Sequence, residues 1–264
     1  MKNIIKKVTG RIESIFVWIL FFNSDPVGQH GDLKDLKNKN IILLGNGPSV
    51  DIDDVIKFKR NKFVLFACNR YYLAVKKGFP QPDFICSSDE IMIDDFGPEM
   101  VAFGERNRVP VIFLVSRLRH LSLYRDNPNV LLYPSIKFNF KLLFGKSSLC
   151  PNGGGTLIGI GALISSFLPR SIYLYGVDHS FRRQKSSTDD LRTDDGNHFI
   201  SNYRSGKSWA APRTNTIEKG FENLLWVCRR YGIIAQNLTR ESYLPIWPRK
   251  TVEEIFLNEK NKYN

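Results

Sequence analysis

Lys39-Asn40-Ile41-Ile42-Leu43-Leu44-Gly45-Asn46-Gly47-Pro48-Ser49 opens on an apolar run and breaks at a glycine. Ile and Leu at successive positions, with no polar alternation, suit a strand buried on both faces, the signature of a parallel sheet between helices. Further apolar runs follow at Phe63–Ala67, Asp83–Cys86, Val109–Val115, Val130–Tyr133, Ser171–Tyr175 and Ile233–Ala235. Helical patterns lie between some of them: one around Tyr71, Tyr72 and Val75, an apolar one at 156–168, and a last one at about 214–230. The expected fold is α/β: a Rossmann-like, mostly parallel sheet with helices on both faces. The polar span 179–213, 35 residues long, interrupts the alternation and is expected to be a lid.

The 264 residues carry 42% apolar and 24% charged side chains, which excludes collagen-like, low-complexity and disulfide-scaffold classes. Lys and Arg number 38 against 26 Asp and Glu, a formal charge of +12 that favours an anionic partner. Without a stripe of alternating basic and aromatic residues, that partner is not expected to be nucleic acid. Cys68, Cys86, Cys150 and Cys228 form no CxxC pair and are expected to be core thiols of a reducing compartment.

Residues 1–22 form a separate unit. Ile4, Ile5, Val8, Ile12, Ile15, Phe16, Ile19 and Leu20 recur at helical spacing, and Lys2, Lys6, Lys7 and Arg11 add charge. The apolar block at 15–22 is too short to cross a bilayer, which takes about 20 residues. The expectation is an amphipathic helix lying on the membrane surface, which places the protein at the cytoplasmic face of the plasma membrane. The alternative is a helix packed on the body or on another copy in a homo-oligomer. Residues 23–38 are expected to be a linker, and 39–264 a single domain.

Parallel sheets bind ligands at the carboxyl ends of their strands. Gly45, Asn46, Gly47, Pro48 and Ser49 follow the first strand. Their glycines let backbone approach a ligand, and Asn46 and Ser49 offer hydrogen bonds; the alternative is a tight turn capped by Ser49. Asn69 ends the second strand. Ser87, Ser88 and Asp89 follow the third. Gly154, Gly155 and Thr156 open the apolar helix as an anion site, or as a helix entry capped by Thr156. Asp178 and His179 follow the sixth, where Asp178 either meets ligand or fixes the turn.

In this order Gly45–Ser49, Cys68-Asn69, the Gly-Thr helix start, Ile172–Asp178 and Asn197-His198-Phe199 resemble the bacterial sialyltransferases of glycosyltransferase family 42. The resemblance covers about residues 40–245. More distantly the chain is similar to lipopolysaccharide-core Kdo transferases and to hydroxymethylpterin diphosphokinases, which share the GxGPS opening and the later Gly-Val-Asp. The resemblance implies a metal-independent, inverting transfer of a nonulosonic acid (sialic acid, Kdo or a relative) from a CMP-sugar to a glycan or glycolipid acceptor, with no further cofactor. It implies that Asn46, Asn69, Gly155 and Thr156 hold the nucleotide and that His198 is the general base. Ser87 stands near a family asparagine, and the family's lid tyrosines have no clear match. Arg182, Arg183 or Tyr203 are the candidates to stabilise the leaving phosphate in their place.

Histidine suits a base near neutrality, and arginines with helix N–H groups suit a departing phosphate without a metal. His30 falls in the linker, and His120, just after Arg117 and Arg119, on an expected surface helix. Asp189, Asp190, Asp194 and Asp195 are expected to be solvated, so no metal site is expected. A diphosphokinase using ATP and magnesium would instead recruit Ser87-Ser88-Asp89-Glu90. A noncatalytic nucleotide- or glycan-binding module is the third reading.

Overall fold

The computed structural model describes residues 12–17, 19, 31–136, 150–151, 155–180, 191–192, 197–207, 209–210 and 213–260. The strands are β1 (Asn40–Leu44), β2 (Val64–Cys68), β3 (Phe84–Ser87), β4 (Val111–Val115), β5 (Val130–Ile136), β6 (Cys150–Pro151), β7 (Ser171–Tyr175), β8 (Leu191–Arg192), β9 (Trp209–Ala210) and β10 (Ile234–Asn237). Eight of them form one sheet in the order β10-β7-β1-β2-β3-β4-β5-β6, while β8 and β9 pair apart as a short antiparallel ribbon. Every pairing in the large sheet is parallel.

Side chains of a strand alternate between faces, and here both faces are apolar. Ile42 and Leu44 of β1, Val111 and Phe113 of β4, and Tyr173 and Tyr175 of β7 enter one core. Ile41 and Leu43, Ile112 and Leu114, and Ile172 and Leu174 enter the other. The first core is covered by α1 (Ile52–Arg60), α2 (Tyr72–Val75), α3 (Glu90–Asn107), α4 (Leu118–Tyr124) and α7 (Val252–Lys260). The second is covered by α5 (Thr156–Ser165) and α6 (Thr214–Arg230). The Rossmann-like α/β fold expected from the sequence is the fold found.

Some local expectations change. Leu33 and Leu36 fall in the segment expected to be linker, yet both are buried in the second core. Burying such a side chain is worth about 1.5–3 kcal/mol, which holds 31–38 on the body. His120 is on a helix as expected but turns inward, 1% exposed, with Nε2 2.7 Å from Asp94 Oδ1. Cys68, Cys86 and Cys228 are free, buried thiols. Among the described residues, no helix is long and apolar enough to cross a membrane.

Candidate functional site

From β1 the chain steps outward through β2, β3, β4 and β5 to β6, then returns to set β7 on the other side of β1. The strand order reverses there, and a crevice opens at the carboxyl ends of the strands, where sheets of this kind take ligands. A cavity of about 580 Å³ occupies it, within the usual range for small-molecule sites. Its walls come from the loops after β1, β2, β3 and β7, the start of α5, the segment 197–204, and Ile217 and Phe221 of α6.

The loop after β1 is shaped by two close approaches. Gly47 N donates to Gly176 O at 3.0 Å, and a Cβ on Gly47 would fall 1.8 Å from Asp178 Oδ2. Gly176 itself adopts φ +70°, a conformation that favours glycine. Asp178 accepts from Ser49 N at 3.1 Å and from Ser49 Oγ at 2.9 Å. Burial holds its carboxyl above the ordinary aspartate range, against the opposing pull of the Ser49 hydrogen bonds. Asp178 therefore fixes this turn while also lining the cavity, and Ser49 faces Asp178 and is not part of the cavity wall. Nor does Ser49 cap the next helix: Asp51 does, accepting from Asp53 N and Asp54 N.

Asn46 is 6% exposed. Its Nδ2 donates to Cys68 O and to Tyr203 Oη, both at 2.9 Å. A carbonyl can only accept, so the amide nitrogen must face Cys68, and Oδ1 takes the other side. That oxygen is buried without a hydrogen-bond partner. An unmet buried acceptor costs about 1–3 kcal/mol, which a ligand donor would recover.

Asn69 has φ +52°, a left-handed conformation that asparagine tolerates better than most residues. Its Oδ1 accepts from Ser87 Oγ at 2.8 Å. Ser87 is fully buried behind Asn69 and does not line the cavity, so it acts only by positioning Asn69. Ser88, which does line it, donates from N (3.1 Å) and Oγ (3.3 Å) to Thr156 Oγ1. Thr156 thus ties β3 to α5; it does not cap the helix, whose N-cap is Gly155. Asp89 caps α3 through Ile91 N and Met92 N. Gly154, Arg182 and Arg183 lie outside the described residues, as do Asp189, Asp190, Asp194 and Asp195.

Part of the expected lid is a packed wall. Ile200, Tyr203 and Arg204 are buried, and Phe199 N donates to Asn46 O at 3.0 Å. The His198 ring stacks on Tyr203 with centroids 3.9 Å apart and 12° between planes. Tyr203 Oη also accepts from Arg70 N at 3.3 Å, so this hydroxyl is already engaged by protein donors. Arg70, 4% exposed, braces the segment from beneath through Tyr203 O, Ser205 Oγ and Glu99. His179, at φ +56°, approaches Glu218 Oε1 to 3.0 Å.

Sequence reasoning did not single out Arg204, Met92, Ile217, Phe221 or Glu218. Arg204 is the one Arg or Lys among the described residues that line the cavity; it is buried against Met92 Sδ, and its Nη2 reaches Asp95 at 3.5 Å. The i,i+4 spacing of Ile217 and Phe221 marks a helix face but says nothing of a site. Among the described residues, no group of three or more His, Cys, Asp or Glu is arranged to hold a metal ion.

These features define an α/β protein with a crevice at its strand-order reversal, walled by amide, hydroxyl, imidazole and carboxylate groups and the Arg204 guanidinium. Among solved structures the chain is similar to the MAf glycosyltransferase from Magnetospirillum magneticum AMB-1, with a TM-score of 0.50 and 16% identity. The match covers 89% of this chain and 40% of that one, so the chain spans two fifths of its neighbour's length. At that identity the likeness is one of fold. No protein-family model matches the sequence, and no curated protein matches it.

Proposed function

We propose that the crevice binds a CMP-activated acidic sugar of the nonulosonate class and that the protein is a glycosyltransferase passing it to a glycan or glycolipid hydroxyl. The observation that carries this reading is Asn46: a buried amide at the point where strand order reverses, its nitrogen fully used and its oxygen unmet. A ribose hydroxyl or a cytosine amino group is the kind of donor that oxygen lacks. The family-42 resemblance assigns Asn46 and Asn69 to the nucleotide, and the structural neighbour is a glycosyltransferase by name.

In the reaction, the acceptor oxygen attacks the anomeric carbon as its bond to the CMP phosphate breaks, which inverts the configuration. His198 takes the acceptor proton, and the electron pair of the broken bond leaves on CMP. Tyr203 sets the plane of the His198 ring, and Asn46 and Arg70 fix Tyr203. Arg204 and the first-turn N–H groups of α5 are the electrostatic partners for the leaving phosphate.

The diphosphokinase reading asks the crevice carboxylates to hold magnesium on a triphosphate. All three are engaged within the protein: Asp89 in its cap, Glu90 with Arg117, and Asp178 with Ser49. The test is thermal stabilisation. CMP at 100 times its Kd should raise stability by about 2.7 kcal/mol and lift Tm, with or without chelator. Stabilisation by ATP with magnesium and none by CMP would overturn the proposal. A panel of CMP-sugars then identifies the donor.

A further inference from the structure

We propose that the N-terminal helical segment docks an anionic membrane surface against the mouth of the crevice, an inference that does not depend on the identity of the bound nucleotide. Residues 12–17 and 19 are helical and present two unlike faces. Ser14 and Val17 are buried against the body. Ile12, Ile15, Phe16 and Ile19, at i, i+3, i+4 and i+7, form one stripe on the opposite side, and Phe16 is 55% exposed. On α4, Leu118, whose N–H meets Glu13 of this helix, is also exposed.

The segment is held in place by charge. Glu13 accepts from Arg117 Nη1 at 2.8 Å and from Leu118 N at 3.1 Å. The same Arg117 donates from Nε to Glu90 at 2.9 Å, and Glu90 lines the crevice. One guanidinium therefore joins the helix to the rim of the cavity. The pairing also removes the only acidic side chain among the first 24 residues of the chain from the stripe.

Charge complementarity selects the occupant. Lys2, Lys6, Lys7 and Arg11 precede the stripe in sequence, and Arg119 and Arg125 on and after α4 have exposed side chains, each with an aspartate nearby. A second copy of the chain would bring like charges together across the apolar contact. An anionic lipid surface accepts the stripe and attracts the cations at once. An acceptor embedded in that surface would then meet the crevice beside Glu90.

The test incubates the full chain with vesicles of phosphatidylcholine, with and without phosphatidylglycerol, and measures co-sedimentation. Wild type should bind the anionic vesicles at least about tenfold better. Ile15→Ser, Phe16→Ser and Ile19→Ser together should abolish binding with the melting temperature preserved, since all three side chains are exposed. If the triple variant does not fold, Lys6→Glu with Lys7→Glu must lose the preference for anionic lipid. Equal binding by wild type and a folded variant, or no vesicle binding by a wild type that dimerises through the stripe, overturns the proposal. Thermal stabilisation by CMP in these variants reports on the crevice separately, so failure of either reading is distinguishable.

Discussion

Asn46 and Tyr203 are 157 residues apart in sequence and joined by a 2.9 Å hydrogen bond from amide to phenol. The bond ties the turn after β1 to the segment that carries His198, whose ring lies flat on Tyr203. On the proposed function, the side chain that would hold the nucleotide also holds the ring beneath the proposed base, so donor binding and base alignment would share one residue.

Replacing Asn46 with Ala should therefore disturb both ends. It leaves Cys68 O and Tyr203 Oη without their buried donor, a loss of about 1–3 kcal/mol in urea unfolding. The Tm shift caused by CMP should shrink sharply. Tyr203→Phe keeps the ring beneath His198 and removes only the hydroxyl, so stability should fall by about 1 kcal/mol with CMP affinity largely kept. Equal loss of CMP affinity in the two variants would mean that Asn46 acts only through Tyr203.

His198→Ala should cut turnover by about 10²–10⁴-fold with little change in CMP affinity. His179→Ala breaks the contact with Glu218 on α6, so its effect should fall on donor KM before kcat. Steady-state kinetics with saturating CMP-sugar separates the two. If His179→Ala is the more damaging change in kcat, the histidine paired with Glu218 is the base.

The sheet was legible because β1, β4 and β7 are apolar on both parities and end at polar breaks. The crevice was legible in outline because Asn46, Asn69, Ser88 and Asp178 fall within three residues of strand ends. The roles of individual side chains were not. Ser49 and Ser87 occupy strand-end positions as suggestive as their neighbours, yet one is turned to Asp178 and the other to Asn69. Only the rotation of each turn decides that. Helix α3 was obscured because Pro98, which lacks an N–H donor, follows Gly97 inside it. Arg204 and Glu218 reach the site through tertiary packing, which leaves no local mark in sequence.

Asp178 makes a prediction about acid. Its folded-state carboxyl titrates above its unfolded value because burial disfavours the anion. Between those two values the native state binds more protons, so the stabilisation present below the unfolded value is lost as pH rises through the folded one. Asp178→Asn removes that dependence and keeps a side-chain acceptor for Ser49 N. The unfolding free energy of wild type minus that of the variant should therefore fall with rising pH across the acid window. A difference that rises across it would mean that the Ser49 hydrogen bonds outweigh burial.

Cys68 lines the cavity, and burial pushes its thiol up to about 12; Cys228, in the core, is pushed up to about 12 as well. Neither should be alkylated by iodoacetamide at pH 8 in the native protein, and both should react on unfolding. Peptide mapping of native and urea-treated samples checks this. Rapid native labelling of Cys68 would show that the crevice opens well beyond the described conformation.

Gly47 and Gly155 both line the crevice, and Ala at each should fail differently. At Gly47 the new Cβ meets the Asp178 carboxylate at 1.8 Å and Gly176 O at 2.8 Å. Neither can withdraw without opening the turn that Asp178 fixes, so Gly47→Ala should lower stability markedly and lose CMP binding with it. At Gly155 the nearest neighbour is Ile158 Cδ1 at 3.8 Å, an ordinary contact, and φ of −173° is extended backbone open to any residue. Gly155→Ala should thus unfold within about 0.5 kcal/mol of wild type. Its methyl would stand at the start of α5, where the proposal brings the CMP phosphate against first-turn N–H groups. CMP-induced stabilisation should fall there with the apo melting temperature unchanged. A Gly155→Ala protein that binds CMP as wild type does would move the phosphate away from α5 and leave Arg204 as its remaining partner.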